Sequence, residues 1–332
     1  MTLTPVERKL GVPKYKQIIA SVEEAIVSKV LRKGDKLPSI SKIQKENKVS
    51  RDTVLTALNE LKTRGIIQSI AGKGYYVLSE HVEVGKKVFV LFDELNAFKE
   101  DLYNSLLKYL EVNTEVDIYF HHFNNEVFSK LIFDSIGNYS SYVIMPANLK
   151  NTEQIIEKLP KEKVYILDQM HPELNMYSGI YQNFEKDIYQ NLEKGVEKIK
   201  EYSKMILLFS KKNQPQGMLK GYRSFCEDFD IEYEVVDSIE NRILSKGEVY
   251  VIPDDRNLIR IVKKIKEQGL IVSKNIGIIS YNDTLLKEIV EGGITTISTD
   301  FNEMGKRLAQ MLNNKEQLRI ENPNHLIIRE SL

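Results

Sequence analysis

LPSISKIQKENKVSRDTVLTALNELKTRGIIQSIAGKGYYV, residues 37–77, decides the fold of the amino-terminal quarter. Ser39 after Pro38 suits the N-cap of a short helix carrying Ile40 and Ile43. Asn47 stands where a tight turn needs a residue tolerant of positive φ. Ser50 is then expected to cap a second helix whose Val54, Ala57, Leu58 and Leu61 fall on one stripe. Gly65 suits the left-handed position just past its end. Residues 66–70 and 75–78 are rich in β-formers and flank a turn over 71–74. Upstream, Tyr15, Ile18, Ile19, Val22 and Ile26 predict an amphipathic helix over 14–30, ended by Gly34-Asp35. Three helices and a hairpin in this order make a winged helix-turn-helix.

Ser50, Arg51, Asp52 and Thr53 form the first turn of the third helix, the end that reaches base edges in such motifs. Arg51 can fork to a guanine or a phosphate, and Ser50 and Thr53 offer short hydroxyls to phosphate oxygens. Lys73 at the wing tip is placed for a backbone or minor-groove contact. Spacing alone also fits an ordinary helical hairpin with a solvated face, and charge separates the two readings. The chain is neutral, with 47 basic and 47 acidic residues, but residues 1–78 hold 15 Lys+Arg against 7 Asp+Glu. The remainder holds 32 against 40. A basic head on an acidic body is what a phosphate-binding module on a larger sensor should show.

Residues 10–78 resemble the DNA-binding domain of the GntR family of bacterial transcription regulators. Leu37-Pro38-Ser39, Val49-Ser50-Arg51-Asp52-Thr53-Val54, Ala57-Leu58, Leu61, Gly65-Ile66-Ile67 and Gly72-Lys73-Gly74 before Tyr75-Tyr76-Val77 carry the match. The resemblance implies DNA contacts at Ser39, Ser50, Arg51, Thr53 and the wing residues Gly72, Lys73 and Gly74, made by a dimer. Ile40-Ser41 stands where the family often has Glu-Arg, and Leu55 where it often has Arg, so two expected contacts are missing.

At 332 residues the chain should hold two or three domains: the head over 1–79, a polar linker over 80–87 and a body over 88–332. One cysteine, Cys226, rules out an internal disulfide framework and suits a reducing cytoplasm. No amino-terminal h-region and no 18-residue apolar run is present, so neither a signal peptide nor a membrane partner is expected. The body alternates short apolar runs with helical stretches. Strands are expected over 87–92, 116–120, 142–145 and 164–167, with helices over 100–110, 126–136 and 152–159. The rhythm restarts with helices over 185–200, 217–229 and 258–268 and strands over 205–209, 233–236, 249–252 and 276–279. This predicts an α/β body of two doubly wound parallel sheets, that is, two lobes with a cleft between them.

Ligands of such sheets bind at the carboxyl ends of strands. Polar residues stand there: Asp93, Glu94 and Asn96, then Asn148, Asp168-Gln169, Asp254-Asp255 and Tyr281-Asn282-Asp283. Any one of them also suits the cap of the next helix, but the set favours a cleft site. Converging carboxylates and amides suit a polyhydroxylated ligand, with Phe98 or Tyr181 stacking on its apolar face.

Residues 87–332 resemble the periplasmic-binding-protein-like effector domain of LacI/GalR-type repressors. The match is strongest over Gly277-Ile278-Ile279-Ser280-Tyr281-Asn282-Asp283, Gly293-Ile294-Thr295-Thr296-Ile297-Ser298-Thr299-Asp300 and Leu326-Ile327-Ile328-Arg329-Glu330-Ser331. The resemblance implies sugar contacts at Phe98, Asp168, Asn183, Asp255 and Asn282. An arginine usual shortly before the equivalent of Gly221 is absent, and Gln216 is its expected substitute. The composite resembles arabinose-responsive repressors. It implies a homodimeric, cytoplasmic regulator, with operator DNA and a monosaccharide effector as partners and no cofactor or metal. A nucleoside or other non-sugar effector, a DNA-organising scaffold and a sugar-processing enzyme are the alternatives. For an enzyme there is no phosphate-loop, nucleophile-elbow or His-Glu-x-x-His motif. His121 and His122, adjacent on a strand, should point to opposite faces.

Overall fold

The computed structural model describes residues 13–80 and 86–332. Most of the expected linker, residues 81–85, lies outside the described residues, and Lys87 at its end already opens a strand.

In the head, α1 (Lys14–Val27), α2 (Ile40–Asn47) and α3 (Arg51–Thr63) precede the hairpin β1 (Ile67–Ile70) and β2 (Gly74–Val77). The two strands are antiparallel, with Ile67 opposite Val77. Both serines cap as their positions require. Ser39 Oγ accepts from the Lys42 amide at 3.2 Å, and Ser50 Oγ accepts from the Thr53 amide at 3.2 Å. Gly65 takes the left-handed conformation with φ +70°. The turn residue differs from expectation. Lys48, not Asn47, has positive φ (49°), while Asn47 stays helical and buried with its amide donating to the Ile43 carbonyl at 2.9 Å. A side chain that satisfies the helix end from inside leaves the left-handed step to the next residue. Ile18, Val22, Ile43, Val54, Leu58, Leu61 and Val77 close one core.

In the body, β3 (Lys87–Phe92), β4 (Glu115–Phe120), β5 (Ser141–Ile144), β6 (Val164–Asp168) and β7 (Ser178–Tyr181) lie in a first parallel sheet. β8 (Lys204–Leu208), β9 (Tyr233–Val236), β10 (Glu248–Ile252), β11 (Ile276–Tyr281) and β12 (Thr295–Thr299) lie in a second. The chain then places β13 (Arg319–Glu321) on the edge of the first sheet, parallel to β7, and β14 (Asn324–Ile327) on the second, antiparallel to β12. The sheet orders are β13-β7-β6-β5-β3-β4 and β14-β12-β11-β10-β8-β9. Helices cover both faces, which is why inner strands such as Val88–Phe92 are apolar at consecutive positions.

The chain crosses between lobes three times: after β7, after β12 and between β13 and β14. After β12 it returns to the first lobe as the helix Phe301–Asn314, which packs along the helix Ala97–Tyr109. Gly305 allows this approach, because a Cβ there would lie 2.3 Å from the Leu102 carbonyl oxygen. Gly221 does the same in the second lobe, where a Cβ would lie 2.1 Å from the Glu185 carbonyl oxygen. The helix expected over 185–200 is split at Gly195 into Phe184–Lys194 and Val196–Ile199. Beyond residue 279 the structure adds elements not expected above: the β-branched run Thr295–Thr299 forms β12, and Asp300, whose Oδ1 accepts from the Glu303 amide at 2.8 Å, caps the helix Phe301–Asn314.

Candidate functional site

Two polar surfaces stand out, one on the head and one between the lobes. On the head, Ser39, Ser41, Gln44, Arg51, Lys73 and Gly74 line one depression of about 290 Å³. The α3 N-terminus and the hairpin tip therefore face the same side. Arg51 and Asp52 are exposed in the first turn of α3, with Ser50 and Thr53 joined through their hydroxyls at 2.8 Å. Gly72 (φ +71°) and Gly74 (φ +109°) make the tight wing, and the Lys73 amide donates to the Ile70 carbonyl at 3.0 Å. Lys73 projects into solvent with Lys42, Lys45 and Lys48 also exposed on the head. Ile40, which replaces a polar residue of the family pattern, packs against the core, and Leu55 is half-buried. Lys36, Ser41 and Gln44 were not anticipated on this face. Lys36 precedes α2 and Gln44 lies within it, and both reach this face by tertiary folding, whereas Ser41 follows the Ser39 cap in the first turn of α2.

The interlobe cleft has a volume of about 580 Å³. In each sheet the strand order reverses one strand in from an edge, beside β3 in the first and β8 in the second, and both reversals open onto the cleft. Of the residues expected at the effector site, Asp93, Asn96, Phe98, Asp168, Asp255 and Asn282 line it. The other three are elsewhere. Asn148 donates to the Gln214 carbonyl at 2.6 Å and so bridges the lobes. Asn183 caps the helix Phe184–Lys194 and donates to Glu321 Oε2 at 3.3 Å. Gln216 opens the helix Gln216–Asp228 and faces solvent, whereas Gln214 lines the cleft. Asp283 also turns away, as the partner of Arg329 at 2.6 and 2.7 Å. Phe98 packs against Phe301 in a tilted arrangement with ring centroids 4.7 Å apart, and Tyr181 is absent from the lining.

Lys99, Gln182 and Phe123 complete the first-lobe wall and were missed. Lys99 follows an N-cap and reads as a solvated helix residue, yet it is buried and hydrogen-bonded to Asp93. Gln182 donates to Asp168 Oδ1 at 2.5 Å. Phe123 is presented by a turn in which His122 and Phe123 both have positive φ. His121 sets that turn. It is fully buried, donates from Nε2 to the Met145 carbonyl at 3.0 Å and accepts from the Phe123 amide at 3.2 Å, a pattern that fits one neutral tautomer. Burial lowers its pKa.

Electrostatics distinguish the cleft's two sides. Lys287, from the second lobe, is buried behind the wall and donates to the Tyr281 and Asn282 carbonyls at 2.6 Å and to Asp255 Oδ1 at 2.8 Å. Burial lowers its pKa, against the pull of Asp255. Asp168 sits on the floor of the first-lobe side, packed round by protein and open to solvent only in part. Burial pushes its carboxyl up to about 6, although Lys99 acts in the opposite sense. Cys226 is buried in the second-lobe core, and burial pushes its thiol up to about 12, the opposite of an activated nucleophile. Among the described residues no group of His, Cys, Asp and Glu is arranged to hold a metal, and no helix is long and apolar enough to cross a membrane.

Comparison with known proteins agrees with both halves. Residues 14–77 match the family "Bacterial regulatory proteins, gntR family", and residues 202–332 match "Periplasmic binding protein-like domain". Over 82 residues the chain is 42% identical to the mannosyl-D-glycerate transport/metabolism system repressor MngR of Escherichia coli, covering 25% of this chain and 34% of MngR. The chain spans 34% or less of the length of MngR and of two Bacillus subtilis regulators, YcxD and YdfD, that it also matches. The HTH-type transcriptional regulator GalR of Streptococcus thermophilus is 23% identical, covering 83% of this chain and 92% of GalR. Among solved structures, a dimeric Lac repressor superposes with TM-score 0.64 at 15% identity, over 74% of this chain and 98% of that one. The LacI family regulator CCPA from Weissella paramesenteroides with bound sucrose gives 0.60 at 15% identity, over 74% and 98%. The chain thus joins a winged helix-turn-helix head that matches the gntR-family model to a body that matches the periplasmic-binding-protein-like domain over residues 202–332, with GalR of Streptococcus thermophilus among its relatives.

Proposed function

We propose that this protein is a sequence-specific DNA-binding transcriptional repressor of carbohydrate-utilisation genes, released from its operator by a small sugar bound in the interlobe cleft. The observation that carries the reading is a convergence: Ser39, Arg51, Lys73 and Gly74 share one exposed face of the head, on a chain whose body holds a two-lobed polar cleft. MngR is named as a repressor, which supports the repressor role, and the similar Weissella regulator has sucrose bound, which supports a sugar effector. Arg51 and the hydroxyls of Ser50 and Thr53 are assigned to the major groove and its phosphates, and Lys73 to the flanking backbone. Two heads placed about 34 Å apart meet successive major grooves, so the reading requires a homodimer. Leu285 and Ile289, one turn apart on the helix Leu285–Ile289, are 80% and 76% exposed and offer apolar surface for such a contact.

Ligand closure would act through the three crossovers and the Asn148 bridge to change the lobe angle and hence the spacing of the heads. The effector shifts DNA affinity only by its differential affinity for the two lobe arrangements, typically about 1–3 kcal/mol of coupling. The test is a gel shift of the full chain on DNA upstream of its own gene, repeated with a panel of pentoses and hexoses. Retardation that one sugar relieves is the expected result. Turnover of a sugar by the protein, or no retardation of any upstream fragment, would refute the reading. In the same assay Lys73→Ala should weaken binding to all sequences alike and reduce the salt slope by about 1, the behaviour of a phosphate contact.

A further inference from the structure

We propose that the cleft's ligand carries a primary ammonium group on a hydroxylated, hexose-sized frame, and that Asp168 and Gln182 receive that group. This rests on the cleft being the effector site. The cleft lining holds the carboxylates Asp93, Glu94, Asp168, Asp237, Asp254 and Asp255 against the cations Lys99, Arg256 and Arg260. Both arginines are exposed at the second-lobe side, and Arg260 is already paired with Glu240 at 3.5 Å. The interior cations are committed as well: Lys99 is hydrogen-bonded to Asp93, and Lys287 behind the wall is held by Asp255. Asp93, Lys99 and Asp168 together carry one net negative charge when all are ionised, and the excess resides on Asp168.

The unused hydrogen-bonding capacity points the same way. Gln182 is 95% buried (5% exposed), lines the cleft and spends its amide on Asp168, while its Oε1 is buried without a partner. Asn282 Oδ1, across the cleft, is likewise buried and unpartnered. Both are acceptors. A ligand hydroxyl can donate one hydrogen to such a site but leaves the charge of Asp168 uncompensated. An ammonium donates three and cancels it, adding to the hydrogen bond a Coulombic attraction to the carboxylate that a hydroxyl lacks. An anionic ligand fits poorly, since no interior cation is left to meet it. Burial holds the Asp168 carboxyl up at about 6 although Lys99 acts in the opposite sense, so a further cation beside it would favour the ionised form.

The experiment is isothermal titration of the full chain at pH 7.5 with glucosamine, galactosamine and mannosamine, each against its neutral parent hexose and its N-acetyl derivative. The expected result is that at least one free amine binds about tenfold or more tightly than both counterparts. Asp168→Asn, nearly isosteric, should abolish that preference, with its melting curve confirming a folded protein. Neutral hexoses binding as tightly as the amines would overturn the ammonium assignment and leave the sugar-responsive reading standing. Binding of no sugar of either kind, by a protein that still retards its upstream DNA, would overturn both and spare only the DNA-reading head.

Discussion

Arg51→Ala is expected to weaken operator binding by about 1–3 kcal/mol, a loss of roughly 5- to 150-fold, and to relax sequence preference at one base position. The argument is geometric. Arg51 opens α3, directly after the Ser50 cap, and its exposed side chain lines the depression shared with Ser39 and Lys73. The head will still fold, because the α3 residues that build its core are Val54, Ala57, Leu58 and Leu61. A gel-shift series on operators varied one base at a time, at two salt concentrations, separates the outcomes. Loss specific to one position marks a base contact. Uniform loss with a shallower salt slope reassigns Arg51 to phosphate, and unchanged binding removes it from the interface.

Asp168→Asn should stabilise the unliganded protein at neutral pH by up to about 3 kcal/mol, the equivalent of a carboxyl raised from its ordinary 3.8 to about 6. The direction follows from linkage. Below pH 3.8 the carboxyl is protonated whether folded or unfolded, and it costs nothing. Between 3.8 and about 6 the unfolded chain ionises first, so folding becomes progressively less favourable as pH rises. Above about 6 the penalty is complete. Asparagine retains an acceptor for the Gln182 amide and carries no charge to strand. Urea unfolding of both proteins from pH 4 to pH 7.5 should show curves that meet at low pH and separate with increasing pH. A constant difference would mean that Asp168 does not titrate in this range. Such a site, stable only when neutral or partnered, is expected of a binding residue rather than a scaffold residue.

Where local chemistry is self-sufficient, the structure follows the sequence reading closely. Ser39, Ser50 and Gly65 sit at helix ends because a side-chain hydroxyl or a positive φ answers a need of the nearest few residues. Strands β3 and β9 have the bounds expected of them, 87–92 and 233–236. The reading fails where the deciding partner is remote in sequence. It also fails at Asn47, a turn residue by type, which stays in the helix and bonds the Ile43 carbonyl, leaving the turn to Lys48. Asn148, Asn183 and Gln216 have suitable chemistry at strand or helix ends, yet their partners are Gln214, Glu321 and solvent. Lys99 and Gln182 carried no local mark of a cleft: Lys99 turns back from its helix to Asp93 at the end of β3, and Gln182 reaches Asp168 at the end of the neighbouring strand β6.

From sequence alone came a basic winged helix-turn-helix on an acidic, doubly wound two-lobed body, because caps, glycines and apolar periodicity act over a few residues and charge adds without regard to fold. Only the tertiary structure decided which polar side chains share the cleft, and that the helix Phe301–Asn314 and strand β13 return to the first lobe. The physical reason is that a side chain's field, burial and free hydrogen-bonding capacity depend on what stands opposite it in space. For Asp168 those neighbours are Gln182, fourteen residues on, and the Asp93–Lys99 pair on another strand's end.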